Sequence, residues 1–116
     1  MGQRVPNIDN DDVTRLLARD FGEAAAEARA ILGALTGTHP GAVARITAAT
    51  IKLAGRDLDE LRTAVAVATN DWRDALSWAE YPRYMKLGRD AEQAVLRAAM
   101  DADWAEYQAW LSDDGQ

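Results

Sequence analysis

Apolar residues recur at intervals of three and four along most of the chain, which is the spacing of one face of an α-helix. The first stripe predicts a helix over about residues 11–35, with Asn10 as its N-cap and Asp11 and Asp12 near the positive end of the dipole. Gly22 lies within it and allows a kink, because glycine costs a helix about 1 kcal/mol relative to alanine. The stripe comprises Val13, Leu16, Leu17, Phe21, Ala24, Ala28, Ile31, Leu32 and Leu35.

Turn-forming residues at 36–41 separate this helix from a second, shorter one that ends before Gly55, a residue suited to a helix C-terminus. Asp57 begins a third helix, and Glu60 three residues later completes the pattern of a capping box. Pro82 ends that helix, because its ring clashes with a continuing turn. The apolar stripes of the two helices are Val43, Ile46, Ala49, Thr50 and Leu53, and then Leu58, Leu61, Val65, Ala68, Trp72, Ala75, Leu76 and Ala79.

A basic and aromatic connector at 82–88 leads to a fourth helix over about residues 89–111. The apolar face of this helix comprises Leu96, Met100, Trp104, Tyr107 and Leu111. Four helices with short connectors predict an all-α fold, a single four-helix, bundle-like domain of antiparallel helices over residues 1–116. We expect the chain to be flexible at 1–10 and 112–116.

Composition excludes several kinds of chemistry. The chain has no cysteine and a single histidine, which rules out disulfides, thiolate nucleophiles and sulfur-ligated metals and argues against histidine-rich zinc sites. No apolar run approaches the roughly 20 residues that cross a bilayer, and the first ten residues lack the apolar stretch of a signal peptide. We therefore expect a soluble cytoplasmic protein with no membrane partner and no cofactor.

The acidic balance of the chain disfavours binding to nucleic acids. The net charge is −6 and the isoelectric point is near 4.6, so phosphate backbones would be repelled. The turn around Gly55 and the helix after it could suggest a helix-turn-helix motif. However, Asp57, Asp59 and Glu60 would then lie where DNA phosphates and base edges approach. We expect no nucleic-acid partner.

One segment resembles a known group of proteins. Residues 45–82, RITAATIKLAGRDLDELRTAVAVATNDWRDALSWAEYP, contain a KLA-G-DL--L turn, an acidic–aromatic–Arg–Asp step at 71–74 and the sequence AEYP at 79–82. This pattern resembles a family of small bacterial helical proteins of unknown function, although Trp72 stands where that family has Tyr. The resemblance covers about a third of the chain. It implies a bacterial helical protein and no particular activity.

A second line of residues beside the core stripe of the third helix contains two aspartates without a local cation. Asp71 and Asp74 are three residues apart, and neither has a lysine or arginine three or four residues away. In a helix interior, a like-charge pair at this spacing costs about 0.2–0.5 kcal/mol. Trp78 and Tyr81 continue the same line. We infer that some other group compensates the two carboxylates.

Three explanations of the pair remain open. The first is solvent or an arginine from a neighbouring helix, with Arg15, Arg19, Arg45 and Arg97 as the candidates. The second is a cationic ligand or partner that uses Trp78 and Tyr81 as an aromatic wall. The third is a hard metal such as Mg²⁺, held by the two aspartates and Glu80. The candidate ligand- or partner-binding residues are Asp71, Asp74, Trp78, Tyr81, Arg73, Glu80 and Arg83.

No catalytic residue is assigned. His39 lies in a connector without a serine, cysteine or second histidine at a useful spacing, and Ser77 lies in a helix interior. The sequence favours a non-catalytic interaction or regulatory module that acts through helix faces; the alternative is a small-ligand or metal-binding protein or enzyme that uses the two aspartates. Trp78 and Trp110 lie off the core stripes, and a helix of about 25 residues spans about 40 Å. Both features favour a homodimer, and a protein partner is also expected.

Overall fold

The computed structural model describes residues 5–37, 40–88 and 90–113. These residues contain seven α-helices and no β-strand, so the all-α prediction is confirmed. Three short 3-10 turns, Gly22–Ala24, Gly33–Gly37 and Pro40–Ala42, lie between the first and third helices. His39 lies outside the described residues. The helices are α1 (Asn10–Phe21), α2 (Ala25–Leu32), α3 (Val43–Ala54), α4 (Leu58–Asn70), α5 (Trp72–Glu80), α6 (Pro82–Lys86) and α7 (Gln93–Ser112).

The predicted first helix is two helices. Gly22 has a φ of 51°, in the region that favours glycine, and a 3-10 turn there separates α1 from α2. The N-cap of α1 is Asp9 and not Asn10. The Asp9 carboxylate accepts from the backbone N–H of Asp12 at 2.9 Å, and the Asp12 carboxylate accepts from the N–H of Asp9 at 3.0 Å. A complete capping box therefore fixes the start of α1.

The predicted third helix is also interrupted. Asp71 has extended backbone angles, φ −151° and ψ 98°, and separates α4 from α5. Two other boundaries agree with the sequence: Gly55 ends α3 in the left-handed conformation, and the Asp57 carboxylate caps α4 by accepting from the N–H of Glu60 at 3.0 Å. Pro82 ends the preceding helix as predicted. It is also the first residue of α6, because proline suits a first helical turn.

The main cluster of buried apolar side chains lies in α1–α5 and the turn after α2, while Tyr107 of α7 is buried outside this cluster. We call α1–α5 the body and α6–α7 the arm. No arm residue is a buried member of the core, although Trp110 and Leu111 pack against it while partly buried. The core side chains are Val13, Leu16, Leu17, Phe21, Ala28, Leu32, Leu35, Ile46, Ala48, Ala49, Ile51, Ala54, Leu61, Val65, Ala68, Ala75, Leu76 and Ala79.

Polar contacts help to join the arm to the body. The fourth predicted helix begins at Gln93 and not near residue 89, and of its 20 residues only Asp103 and Tyr107 are buried. Two arginines of α1 bind the carbonyls at the C-terminal end of α7. Arg15 donates to the carbonyl of Leu111 at 2.5 Å, and Arg19 donates to those of Trp110 and Asp113. These guanidinium groups satisfy carbonyls that have no partner within the helix.

Candidate functional site

Asp71 and Asp74 lie at the start of a helix. The Asp71 carboxylate accepts from the backbone N–H of Arg73 at 3.1 Å and so caps α5, while Asp74 lies in the first turn of the same helix. Carboxylates are stabilised at these positions by free N–H groups and by the positive end of the dipole. The two carboxylates are therefore compensated by the start of α5, which exists because the predicted helix is interrupted at Asp71.

Three arginines considered as partners for the aspartates are engaged elsewhere. Arg45 binds Glu80, while Arg15 and Arg19 bind the end of α7. Within the described part of the chain, no ion pair joins Asp71 or Asp74 to a cation. Both carboxylates are exposed, so solvent and the helix terminus surround them.

Trp78 shares the exposed face of α5 with Asp74, because residues four apart lie on the same side of a helix. Its side chain is 39% exposed. Arg73 is also exposed, and its guanidinium carbon lies 5.1 Å from the centre of the Trp72 ring. We call Asp71, Asp74 and Trp78, with Arg73 at the edge, the α5 surface.

Glu80 and Tyr81 are not part of the α5 surface. Glu80 is 3% exposed and forms a bidentate ion pair with the Arg45 guanidinium, with distances of 2.8 and 2.7 Å. The hydrogen bond to Glu80 raises the pKa of Arg45 above its usual range. Tyr81 is 5% exposed. The structure therefore places these two residues inside the molecule, where a docked partner would not reach them.

Arg83 belongs to a cluster of charges in the arm. Its guanidinium lies 3.0 Å from a carboxylate oxygen of Asp103 and 2.6 Å from one of Glu106. These hydrogen bonds, first to Glu106 and then to Asp103, raise the pKa of Arg83. Of the seven predicted site residues, four are exposed on α5 or at its start and three are engaged elsewhere.

Asp103 is a structural residue that the sequence did not identify. It is 1% exposed and accepts from the backbone N–H groups of Arg83 at 3.2 Å and Tyr84 at 3.1 Å. These groups belong to the first turn of α6, whose own N-cap residue, Tyr81, makes no capping hydrogen bond with its side chain. Asp103 thus caps α6 from the neighbouring helix. The sequence held one sign of this role: Asp103 lies between Met100 and Tyr107 on the predicted apolar face, where a buried aspartate needs a hydrogen-bond donor.

Tyr107 of the arm lies beside Lys52 of the body, which is partly buried. The Tyr107 side chain is buried, and its hydroxyl has no hydrogen-bond partner among the described residues. Burial raises the Tyr107 pKa well above its usual range, so the phenol stays protonated. Lys52 of α3 places Nζ 5.9 Å from the centre of the Tyr107 ring. Burial lowers the Lys52 pKa, although Glu106 and Asp103 oppose that shift.

An open cleft of about 450 Å³ lies between the end of α1 and the start of α4, away from the α5 surface. Its two guanidinium groups are already paired: Arg56 lies 3.5 Å from Asp20, and Arg62 lies 2.7 Å from Asp59. The remaining lining residues are Phe21, Ala24, Asp57 and Leu58. This cleft therefore includes none of the predicted site residues.

Two further findings concern metals and membranes. Residues 5–37, 40–88 and 90–113 contain no group of three or more His, Asp or Glu side chains placed to hold a metal ion. Within the same ranges, no helix has the length and apolar character needed to cross a bilayer.

Comparison with known proteins adds no relative. No protein-family model, curated protein or solved structure matches the chain. The resemblance of residues 45–82 to a bacterial family stays a prediction, and the functional argument depends on the geometry alone.

Proposed function

We propose that this chain is a small cytoplasmic, non-catalytic interaction module of bacterial type, and that it docks a partner on the α5 surface. The observation that carries this proposal is the exposure of Trp78, a residue that is 39% accessible and lies on the same face of α5 as Asp74. Tryptophan is enriched among the residues that dominate the energy of protein interfaces. A partner that covers this ring would bury apolar area that the body leaves in water.

The charges around Trp78 favour a basic partner. Asp71 and Asp74 are exposed carboxylates without an ion-pair partner among the described residues, and the whole chain carries a net charge of −6. Lysine or arginine side chains would complement these carboxylates and could also stack on the indole ring. The proposed partner is therefore a basic segment with at least one apolar side chain.

A ligand-binding, metal-binding or catalytic role for the aspartates has less support. Small-molecule sites are typically concave, whereas Asp71 and Asp74 are exposed at a helix start and the cleft near α4 is lined by other residues. Glu80, the third carboxylate considered for a metal, is held by Arg45 inside the molecule. The carboxylates already have a structural role as cap and first-turn residue.

The proposal is tested by selecting a displayed library of random peptides for binding to the folded chain. We expect enrichment of peptides rich in lysine and arginine, with binding that weakens as salt is added. Trp78→Ala should weaken binding at least about tenfold, as expected for a central interface residue. Asp71→Asn with Asp74→Asn should weaken the salt dependence, because asparagine at position 71 keeps the helix cap while both changes remove charge.

Val95→Ala is the matched control, because Val95 is also an exposed apolar side chain, 47% accessible, but lies on α7. It should bind the selected peptides like the unmodified chain. Peptides that bind Trp78→Ala as tightly as the unmodified chain would show that the α5 surface is not the docking site.

The homodimer is a separate proposal. Its support is α7, which spans about 30 Å at 1.5 Å per residue, buries only Asp103 and Tyr107 and leaves Val95 in solvent. A two-fold contact through the α5 surface would bring like charges together, so a dimer would pair along α7 instead. Sedimentation velocity over a range of concentrations distinguishes monomer from dimer.

A further inference from the structure

The body has a complete apolar core without the arm. Every buried apolar side chain of the core cluster belongs to α1–α5 or to the turn after α2. The arm has no buried residue in α6 and only Asp103 and Tyr107 in α7. Burial of apolar area is the main force that holds helices together in water. The two regions are therefore held by different interactions.

The arm is internally coherent. Asp103 of α7 binds two backbone N–H groups and the guanidinium of Arg83, all in α6. Glu106 of α7 lies 2.6 Å from the same guanidinium. These contacts lie within the arm and none of them reaches the body. Separation from the body would leave them intact.

Several of the contacts that join the arm to the body are polar. Arg15 and Arg19 hold the last carbonyls of α7, and the Arg19 guanidinium also lies 4.9 Å from the centre of the Trp110 ring. Hydrogen bonds of this kind can be exchanged for hydrogen bonds to water when the arm leaves. Among the described residues of the arm, Trp110 and Leu111 pack partly buried apolar side chains against the body core, and the Tyr107 ring is buried outside that cluster.

Docking of the arm also buries two polar groups at a cost in free energy. The Tyr107 hydroxyl is buried without a partner among the described residues, and a buried hydroxyl that makes no hydrogen bond loses its hydration without compensation. Lys52 is desolvated beside the same ring and makes no ion pair within the described part of the chain. Undocking would return both groups to water.

We propose that α6 and α7 form a strap that undocks from the body as a unit while the body stays folded, and that the buried Tyr107 hydroxyl weakens the docked state. The hinge is Tyr81, the single non-helical residue between α5 and α6, with φ −134° and ψ 52°. Opening uncovers the edge of the body core beneath Trp110 and Leu111. The strap is independent of the docking proposed for the α5 surface.

Native-state hydrogen exchange on the full chain tests the strap. We compare helix amides at 103–111 in α7 with helix amides at 47–52 in α3. Once undocked, α7 is a 20-residue helix without a packed apolar face, which is marginal in water. Its amides should therefore exchange at least about tenfold faster than those of α3, which stay protected in the body. Tyr107→Phe removes the unpaired hydroxyl and keeps the ring. It should slow exchange in α7 by about tenfold and leave α3 unchanged.

Arg15→Gln provides a second variant, because Arg15 is exposed and its hydrogen bond goes to the carbonyl of Leu111. It should speed exchange in α7 several-fold and leave α3 unchanged. Arg62→Gln is the matched control, an exposed arginine whose ion pairs lie within the body, and it should leave α7 exchange unchanged. A single common rate for α3 and α7 amides would overturn the strap. Unchanged or faster α7 exchange in Tyr107→Phe would overturn the role of the hydroxyl.

Discussion

The body and the arm show two ways of attaching a helix to a small protein. In the body, mainly leucine, isoleucine and alanine side chains pack into one apolar cluster, although the charged side chains of Arg19, Asp20 and Glu80 are also buried there. In the arm, the most buried side chains are an aspartate and a tyrosine, and both are polar. Apolar packing is non-directional and tolerates small movements, whereas a buried carboxylate requires particular donors in particular places. The arm is therefore held in a defined geometry but with less apolar stabilisation.

The largest expected effect comes from truncating the body core. Ile46 of α3 is completely buried, so Ile46→Ala should lower the free energy of unfolding by about 2–5 kcal/mol. Urea denaturation followed by circular dichroism measures the change. The arm should be lost together with the body, since it has no core of its own.

Val95→Ala in the arm is the control for the Ile46 variant. Val95 is 47% exposed, and the change should stay within about 0.5 kcal/mol. Equal losses in the two variants would mean that the distinction between an apolar body and a polar arm is wrong.

The next largest effect on stability is expected at Asp103, the buried hydrogen-bond acceptor of the arm. Asp103→Asn keeps the shape of the side chain but removes the charge that Arg83 and two backbone N–H groups of α6 share. We expect a loss of about 1–3 kcal/mol, confined to α6 and α7. Hydrogen exchange resolved by residue would show the loss in the arm and not in α3.

Glu106→Gln sharpens this test, because Glu106 binds the same guanidinium but its side chain is 47% exposed. The exposed pair should contribute about 0–1 kcal/mol, so this variant should change exchange less than Asp103→Asn. A larger effect from Glu106 would show that burial of the acceptor is not what fixes the arm.

A smaller effect is expected at the start of α5. Asp71→Ala removes the N-cap and should cost about 1 kcal/mol, while Asp71→Asn should be nearly neutral. Asp74→Asn removes a favourable charge from the first turn, a loss of about 0.3–1 kcal/mol. The double variant, Asp71→Asn with Asp74→Asn, should therefore melt slightly lower than the unmodified chain. A higher melting temperature would show that repulsion between the carboxylates outweighs their interaction with the helix terminus.

Asp71 also shows how far the sequence predicts this fold. The spacing of apolar residues correctly predicts most of the buried side chains of the body, because helical periodicity survives in single stretches of sequence. The same spacing continues across Asp71, from Ala68 to Trp72 and Ala75, so the stripe conceals the break. A local signal was present, since aspartate is a preferred N-cap. The prediction of one continuous helix across Asp71 was therefore wrong.

The candidate site was predictable only in part. Asp74 and Trp78 share a face because both lie in one short helix, and this follows from spacing alone. Glu80 and Arg83 are engaged by Arg45 and Asp103, residues that are 35 and 20 positions away in the sequence. Such pairs depend on tertiary packing, and no local periodicity reveals them. The capping of α6 by Asp103 is invisible in the sequence for the same reason.

The smallest expected effect is a pH dependence of stability that comes from Lys52, the residue of α3 that contacts Tyr107 of the arm. Burial lowers the pKa of Lys52 below its ordinary value of 10.5. Between the lowered pKa of folded Lys52 and pH 10.5, this lysine binds more protons in the unfolded chain than in the folded chain. The free energy of unfolding should therefore rise with pH across that window. The gain is modest, because Lys52 is only partly buried.

Lys52→Met replaces the cation with an apolar side chain of similar length, so the rise should disappear. Urea midpoints measured at several pH values between 7 and 10 would show it, and Lys86→Met, at the exposed lysine of α6, is the matched control. The Tyr107 pKa is raised, so stability from that group is lost only above the ordinary phenol pKa of 10.0 and does not mask the rise. If the urea midpoint rises with pH equally in Lys52→Met and Lys86→Met, the rise does not come from the partly buried Lys52.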